Sequence, residues 1–244
     1  PDNHGHASCG TNCNHDSTHA VERCTPLVDG SVSALEGNYY LLADLQVAQT
    51  VTINKPVNLC LNGHELLLKS GLFQIGEEGK LTLCDCTGGG RIIGALSNNG
   101  TLYVYGGTLT EIALGNRGKV YLAEGAKFAD DQLTVSFKDS KQIYVDPDLL
   151  STQKMALRLD ESVSAVPSGA IVTAWKADGD GSDASFTSVD RFTLVRPEDY
   201  KLELKEDGVV LIEAGSGSSG GGTPGGTPGD NDDPSDGSGG GGGS

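Results

Sequence analysis

The chain has 244 residues, of which 36% are hydrophobic, and a formal net charge of −16 at pH 7. This charge argues against binding to nucleic acid or to anionic lipid, because both repel an acidic protein that has no basic patch. No apolar run approaches the roughly 18 residues that a membrane-spanning helix needs. The length allows one or two domains, and the composition divides the chain into four successive pieces.

Residues 1–26 form a head that holds four of the five histidines and three of the six cysteines. The head has too few large apolar side chains to fold by hydrophobic burial, so a cross-link is expected to hold it together. One structural zinc ion is a candidate, because thiolates and imidazoles are its usual ligands. A disulfide is a second candidate in an exported protein, and a head without fixed structure is a third. The predicted zinc ligands are Cys9, Cys13, His15 and His19, with Cys24, His4 and His6 as alternates.

Residues 27–150 contain a repeat of about twenty residues. Four apolar triplets, at 59–61, 81–83, 102–104 and 120–122, begin 22, 21 and 18 residues apart, and a glycine stands two positions before each of the last three. A repeat that carries one strand and one turn is typical of a solenoid whose coils stack. The pattern predicts an all-β fold, a right-handed parallel β-helix, with the handedness taken from the crossover rule for parallel strands.

The alternation within each triplet predicts which side chains face the core. The outer residues of each triplet point inward and stack as aliphatic ladders, and the middle residues, among them Cys60 and Thr82, lie side by side on the outer face. In this register Cys60 is offset by two residues from Cys84, which is too far for an unstrained disulfide. Cys60, Cys84 and Cys86 are therefore expected to be small buried apolar side chains, with a metal site that includes His64 as the alternative.

Residues 151–214 are predicted to be a β-rich C-terminal segment or cap, because strand-like runs continue at 170–175 and 192–195 with a changed spacing. The runs at 200–204 and 209–212 predict a terminal hairpin. Whether this segment continues the solenoid or forms a separate cap is left open. Residues 215–244 consist almost entirely of Gly, Ser, Thr, Pro and Asp. That composition predicts a disordered linker.

Three motifs in the early coils carry a resemblance to a known family. They read Gly-Asn-Tyr-Tyr-Leu-Leu at 37–42, Asn-Leu-Cys-Leu-Asn-Gly-His at 58–64 and Leu-Thr-Leu-Cys-Asp-Cys at 81–86. Together with the Cys/His-rich head, they resemble secreted right-handed β-helix proteins, pectate-lyase-like in fold, of Gram-positive commensal bacteria. The resemblance covers residues 1–214 and implies a secreted or cell-surface location and an adhesin-like module.

The outer face of the coils departs from the pattern that catalysis on this fold requires. Lyases need calcium-binding aspartates near a basic residue, and hydrolases need clustered carboxylic acids. Asp85 and Glu124 fall on coils that are not adjacent, so we expect no enzymatic activity. The predicted function is a structural, adhesin-like display unit that the linker tethers to an anchor beyond this chain.

The alternative is a carbohydrate-active module, either glycan-binding or related to polysaccharide lyases and glycoside hydrolases. Outward-facing Tyr103, Tyr121 and Tyr144 are the predicted ligand-binding residues, because aromatic rings can stack on sugar rings. Glycans or host cell-surface proteins are the expected partners. The competing explanation is that these tyrosines are ordinary strand-surface residues, since coils of a β-helix stack like with like.

Overall fold

A computed structural model describes residues 24–69, 72–177, 184–196 and 198–214. These residues form an all-β protein, a parallel β-solenoid of about 6 turns, which confirms the predicted fold class. The right-handed winding stays a prediction from the crossover rule. Within the described ranges, no helix is long and apolar enough to cross a bilayer. The predicted linker at 215–244 lies outside the described residues.

Strands make up nearly all of the regular structure. In chain order they are β1 (Thr25–Leu27), β2 (Gly37–Leu41), β3 (Leu45–Val47), β4 (Val51–Ile53), β5 (Pro56–Cys60), β6 (Glu65–Leu68), β7 (Phe73–Ile75), β8 (Lys80–Cys84), β9 (Arg91–Ile93), β10 (Ala95–Asn98), β11 (Thr101–Val104), β12 (Gly107–Leu109), β13 (Glu111–Leu114), β14 (Lys119–Leu122), β15 (Ala126–Phe128), β16 (Gln132–Phe137), β17 (Ile143–Val145), β18 (Lys154–Leu159), β19 (Ala170–Ala174), β20 (Phe192–Arg196), β21 (Tyr200–Lys205) and β22 (Gly208–Glu213). Two short 3-10 helices, Ala129–Asp131 and Leu149–Ser151, follow β15 and β17.

The strands form three sheets that are the walls of the solenoid. The first sheet has ten strands in the order β1-β2-β5-β8-β11-β14-β17-β19-β22-β21. The second has seven, β20-β18-β16-β13-β10-β7-β4, and the third has five, β15-β12-β9-β6-β3. A central coil such as β8, β9 and β10 therefore supplies one strand to each wall. Neighbouring coils pair in parallel, as a stacked solenoid requires.

Aliphatic ladders fill the space between the three walls. One ladder on the first sheet runs through Val57, Leu81, Leu102, Val120 and Ile143, each at most 1% exposed. A second ladder runs two residues further along the same strands, through Leu59, Leu83, Val104, Leu122 and Val145, and is buried to the same degree. Full burial of each such side chain stabilises the fold by about 1.5–3 kcal/mol. The predicted ladders are confirmed from β8 to β14, where Leu81 and Leu83 stack on the corresponding residues of β11 and β14.

The register between β5 and β8 differs from the sequence prediction. Leu59 pairs with Leu83 and Cys60 pairs with Cys84, whereas Cys60 was predicted to lie opposite Thr82. The difference arises because β5 begins at Pro56, so that its inward residues are Val57 and Leu59, and Leu61 follows the end of the strand. Val57 therefore lies opposite Leu81, where the triplet alignment placed Leu59. A shift of two residues keeps every side chain on the same face, so hydrophobic alternation does not distinguish the two registers.

Parallel stacking continues beyond residue 150. β18 pairs in parallel with β16, β19 with β17, and β20 with β18. The predicted hairpin is confirmed as β21 and β22, which pair antiparallel with each other. β22 also pairs antiparallel with β19, so the hairpin occupies that edge of the first sheet. The solenoid thus extends into the segment for which the sequence left the choice open, and the hairpin covers its C-terminal end.

Candidate functional site on the outer face of the first sheet

The register of the first sheet arranges its outward side chains in two columns, each crossing the coils. The first outer column contains Asn38, Asn58, Thr82, Tyr103, Tyr121, Tyr144 and Thr173. The second outer column lies two residues further along each strand and contains Tyr40, Cys60, Cys84, Tyr105, Ala123, Asp146 and Trp175. The two columns contain two groups of side chains that could bind a ligand or a metal: a tyrosine stack and a cysteine cluster.

The tyrosine stack is formed by Tyr103, Tyr121 and Tyr144 on three successive coils. The ring centroids of Tyr103 and Tyr121 are 4.6 Å apart, and those of Tyr121 and Tyr144 are 4.5 Å apart, with interplanar angles of 13° and 10°. Both faces of the Tyr121 ring are therefore covered by its neighbours. The Lys80 ammonium lies 4.8 Å from the centroid of Tyr103, on the coil that precedes it. The outermost ring face of the stack belongs to Tyr144.

Trp175 packs against this stack from the second outer column. Its indole meets the Tyr121 ring edge-on, with centroids 5.3 Å apart, and lies 6.4 Å from both Tyr103 and Tyr105. Ala123 and Asp146 both stand between Trp175 and Tyr105 in the column, so the indole reaches back across two coils. Burial raises the pKa of Tyr121 to about 12, with smaller contributions from Tyr144 and Tyr103. Burial also raises the pKa values of Tyr105 and Tyr144.

An ion pair holds the chain beside Trp175. The Lys176 ammonium lies 2.9 Å from a carboxylate oxygen of Asp146, whose side chain is only 5% exposed, and it also contacts Asp148. Hydrogen bonds to Asp148 and Asp146 raise the pKa of Lys176 above its ordinary value. A buried carboxylate needs such a partner, because an unpaired charge at this position would be costly. The pair thus anchors the segment that carries the indole.

The cysteine cluster consists of Cys60, Cys84 and Cys86. Their Sγ atoms all lie within 4.8 Å of one another. The Cys60 thiol donates a hydrogen bond to Cys86 Sγ at 3.2 Å. Cys60 and Cys84 are 1% and 2% exposed although they point away from the main core. With Tyr40 they form a small second apolar cluster, against which Cys24, Cys86 and Tyr105 pack.

The cysteine cluster offers two kinds of chemistry. Three sulfur ligands at this separation could hold a metal ion, and thiolates select soft or borderline metals such as zinc. Cys84 is also disulfide-bonded in the structure. A sulfur in a disulfide is not a thiolate ligand, so the disulfide-linked and metal-bound states of Cys84 exclude each other. His64 is not a member of the cluster, and its Nδ1 lies 3.5 Å from Asp44 Oδ1.

Asp85 has a structural role at a corner of its coil. One of its carboxylate oxygens accepts a hydrogen bond from the Gly63 N–H, and the other accepts one from the Gly90 N–H, both at 2.7 Å. The side chain therefore ties the turn after β5 to the loop before β9. Charge-assisted hydrogen bonds of this kind are roughly twice as strong as neutral ones. Both oxygens of the Asp85 carboxylate are thus engaged by the backbone.

A cleft of about 590 Å³ opens at the C-terminal end of the tyrosine stack. It lies between the loop before β17, the start of β19 and the turn of the terminal hairpin. Its polar and aromatic lining comes from Ser140, Lys141, Tyr144, Ser168, Thr173 and Asp207. The volume is within the range of small-molecule sites. One aromatic ring, three hydroxyl-bearing side chains and two opposite charges could together recognise a polar ligand.

The predicted site residues fall in different places. Tyr103, Tyr121 and Tyr144 are brought together as one stack, and whether they bind a ligand stays a prediction. Of the predicted zinc ligands, Cys24 is half-buried and packs against the second apolar cluster. The remaining predicted ligands lie outside the described residues: Cys9, Cys13, His15 and His19.

Two features escaped the sequence analysis. Trp175 joins the aromatic group from a coil that is far along the chain, and no repeat motif signals its approach. The proximity of Cys60 and Cys84 was missed because the coils were aligned two residues out of register. Extending the first triplet back to Val57 shows that two registers are possible, because Val57, Leu59 and Leu61 match Leu81 and Leu83 in two ways, but it does not choose between them.

Comparison with known proteins adds no further assignment, because no family model, no curated protein and no solved structure matches the chain. The class of protein is therefore defined by its fold alone: it is a parallel β-solenoid built from short repeats.

Proposed function

We propose that this protein is a non-enzymatic display module, a rigid β-solenoid that presents its surface outside the cell. The observation that carries the proposal is the tyrosine stack. At outward positions of the first sheet, where enzymes of this fold place reactive groups, Tyr103, Tyr121 and Tyr144 stack on one another. Each aromatic pair contributes about 0.5–1.5 kcal/mol beyond area burial. These three outward tyrosines therefore stabilise the contact between coils.

The role of Asp85 supports the same proposal. Its two oxygens are occupied by backbone N–H groups. A general base must instead be able to reach a proton on the substrate. Asp85 is best explained as a residue that shapes the coil corner.

The location and lineage of the module rest on sequence. The motifs at 37–42, 58–64 and 81–86 resemble secreted, pectate-lyase-like β-helix proteins of Gram-positive commensal bacteria, and the composition of residues 215–244 suits a tether. We propose an adhesin-like, cell-surface role on these grounds, with glycans or host cell-surface proteins as partners. The proposal also includes one structural zinc ion in the head, residues 1–26, because metal binding can stabilise a small segment that lacks an apolar core.

The non-enzymatic assignment is tested by incubating purified protein with pectin, alginate and neutral plant glycans. We expect no release of unsaturated or reducing ends above the level of a heat-denatured sample. Sustained release that is abolished in Glu124→Gln, with an unchanged thermal melt, would overturn the assignment. Immunolabelling of intact cells of the native host tests the location, and label that appears only after permeabilisation would refute surface display.

The cleft favours glycan binding as a second candidate function. Tyr144 lines the cleft and could stack on one sugar ring, while Asp207 and Lys141 lie among the polar groups that line the same cleft. Since both faces of Tyr121 are covered, stacking on a sugar should depend on Tyr144 more than on the other two tyrosines.

A glycan array followed by calorimetry tests this candidate. We expect Tyr144→Ala and Asp207→Asn each to weaken binding about 10-fold or more, as loss of a principal contact usually does. Tyr103→Ala is the matched control, because it removes a ring from the other end of the stack and should leave affinity within about twofold. Equal losses in Tyr103→Ala and Tyr144→Ala, or no binding to any glycan, would contradict the cleft as the site.

A further inference from the structure

We propose that Cys60, Cys84 and Cys86 form a metal site that binds one zinc ion when the disulfide of Cys84 is reduced. The proposal rests on the position of the three sulfurs and is independent of any ligand bound by the tyrosine stack or the cleft.

The spacing of the sulfurs suits a tetrahedral ion. Zinc–sulfur bonds of about 2.3 Å place neighbouring sulfurs of a tetrahedron about 3.8 Å apart. The three Sγ atoms lie within 4.8 Å of one another, and the pair formed by Cys60 and Cys86 is 3.2 Å apart. Side-chain rotations that move each sulfur by less than about 1 Å would therefore complete the three corners, without a change in the backbone pairing of β5 and β8.

The backbone supplies a rigid frame for this site. Cys60 and Cys84 are paired residues on adjacent parallel strands. Cys86 follows two residues after Cys84, beyond the end of β8, and its Sγ lies within 4.8 Å of the other two sulfurs. Ligands positioned by paired strands lose little freedom on binding, which favours affinity. Burial of Cys60 and Cys84 also limits the access of water to the ion.

The chemistry of the cluster points to zinc or a similar borderline ion. Calcium and magnesium prefer oxygen ligands, whereas thiolates bind soft and borderline metals. The fourth corner of the tetrahedron comes from outside the cluster, from water or another side chain. Reduction of the Cys84 disulfide by a phosphine consumes two electrons, yields two thiols and converts the phosphine to its oxide with oxygen from water. Each thiol that then binds zinc gives up its proton to the solvent.

The test uses the full chain after phosphine reduction and removal of the reductant. We expect the wild type to bind about one zinc ion per chain more than Cys60→Ser does, and cobalt(II) at this site to give the thiolate charge-transfer bands of a tetrahedral site. Cys60→Ser and Cys86→Ser should each lower zinc affinity at least about 100-fold, since losing a direct ligand exceeds the 10–100-fold effect of an indirect contact. Thr82→Ser, a conservative change on the neighbouring column, is the matched control and should bind as the wild type does.

A second measurement covers variants that fail to fold. In the wild-type protein, mass-spectrometric mapping of alkylation should show that zinc slows modification of Cys60, Cys84 and Cys86. The proposal is wrong if the reduced chain binds no metal, or if zinc leaves these alkylation rates unchanged. It is also wrong if Cys60→Ser and Cys86→Ser retain wild-type affinity while Cys13→Ser loses it, because the ion would then belong to the head alone.

Discussion

Replacing Gly100 by alanine tests how closely successive coils approach one another. An added Cβ at this position would lie 2.2 Å from the carbonyl oxygen of Gly79 and 2.3 Å from that of Gly76. The local backbone is held there by two hydrogen bonds: Gly100 N–H donates to Asn98 Oδ1 at 2.9 Å, and Thr101 N–H donates to the Gly79 carbonyl at 3.0 Å. Glycine is needed because another coil occupies the space of a side chain.

The structure predicts that Gly100→Ala destabilises the protein, whereas Gly→Ala at an unconstrained position stabilises it. At a position whose backbone conformation alanine can adopt, Gly→Ala stabilises a protein by about 0.4–1 kcal/mol, because the unfolded chain loses freedom. Here the methyl group must displace two backbone carbonyls by about 1 Å, and overpacking of this kind costs about 1–3 kcal/mol. We expect a net loss of about 2 kcal/mol, which lowers Tm by about 4–8 °C in a chain of this length.

The assay is a urea unfolding curve followed by circular dichroism, with Gly88 as the comparison. Gly88 has a φ of +76° and no heavy atom within 4 Å of an added Cβ, so its requirement is conformational. Asparagine tolerates that backbone region better than alanine. Gly88→Asn should therefore be more stable than Gly88→Ala, whereas Gly100→Asn should be less stable than Gly100→Ala. A Gly100→Ala protein as stable as the wild type would refute the reasoning.

Two further predictions address the core and the tyrosine stack. Leu83→Asp places a carboxylate where the side chain is 0% exposed and should cost more than about 4 kcal/mol, while Gln74→Asp on the exposed face of β7 should leave the melt nearly unchanged. An unaltered melt of Leu83→Asp would contradict the inward orientation of Leu83. Because burial raises the pKa of Tyr121 to about 12 from an unfolded value near 10, its contribution to stability is complete below pH 10 and is lost as pH rises toward 12. Stability measured across that interval should fall less steeply in Tyr121→Phe, and identical slopes in the two proteins would show that Tyr121 does not contribute.

The tyrosine residues illustrate how far the outer face could be read from sequence. The prediction that Tyr103 and Tyr121 are neighbours was correct, because aligning the triplets Leu-Tyr-Val and Val-Tyr-Leu places the two tyrosines on adjacent coils. The closeness of their rings could not be foreseen, since side-chain rotamers depend on the residues packed around them. Trp175 shows the same limit more clearly, because its indole reaches Tyr121 across the coil that carries Tyr144 and Asp146.

Local pattern was sufficient to establish the solenoid itself: strands that alternate with period two, turns marked by glycine and a short repeat length are properties of neighbouring residues. Tertiary structure alone decided how the coils are aligned along the axis of each strand. A slip of two residues leaves all inward side chains inward. The burial energy of the core is therefore almost the same in the two registers. The same slip separates Cys60 from Cys84 or places them side by side. The cysteine cluster therefore exists only through contacts between coils, and these depend on corner geometry such as the approach of Gly100 to Gly79.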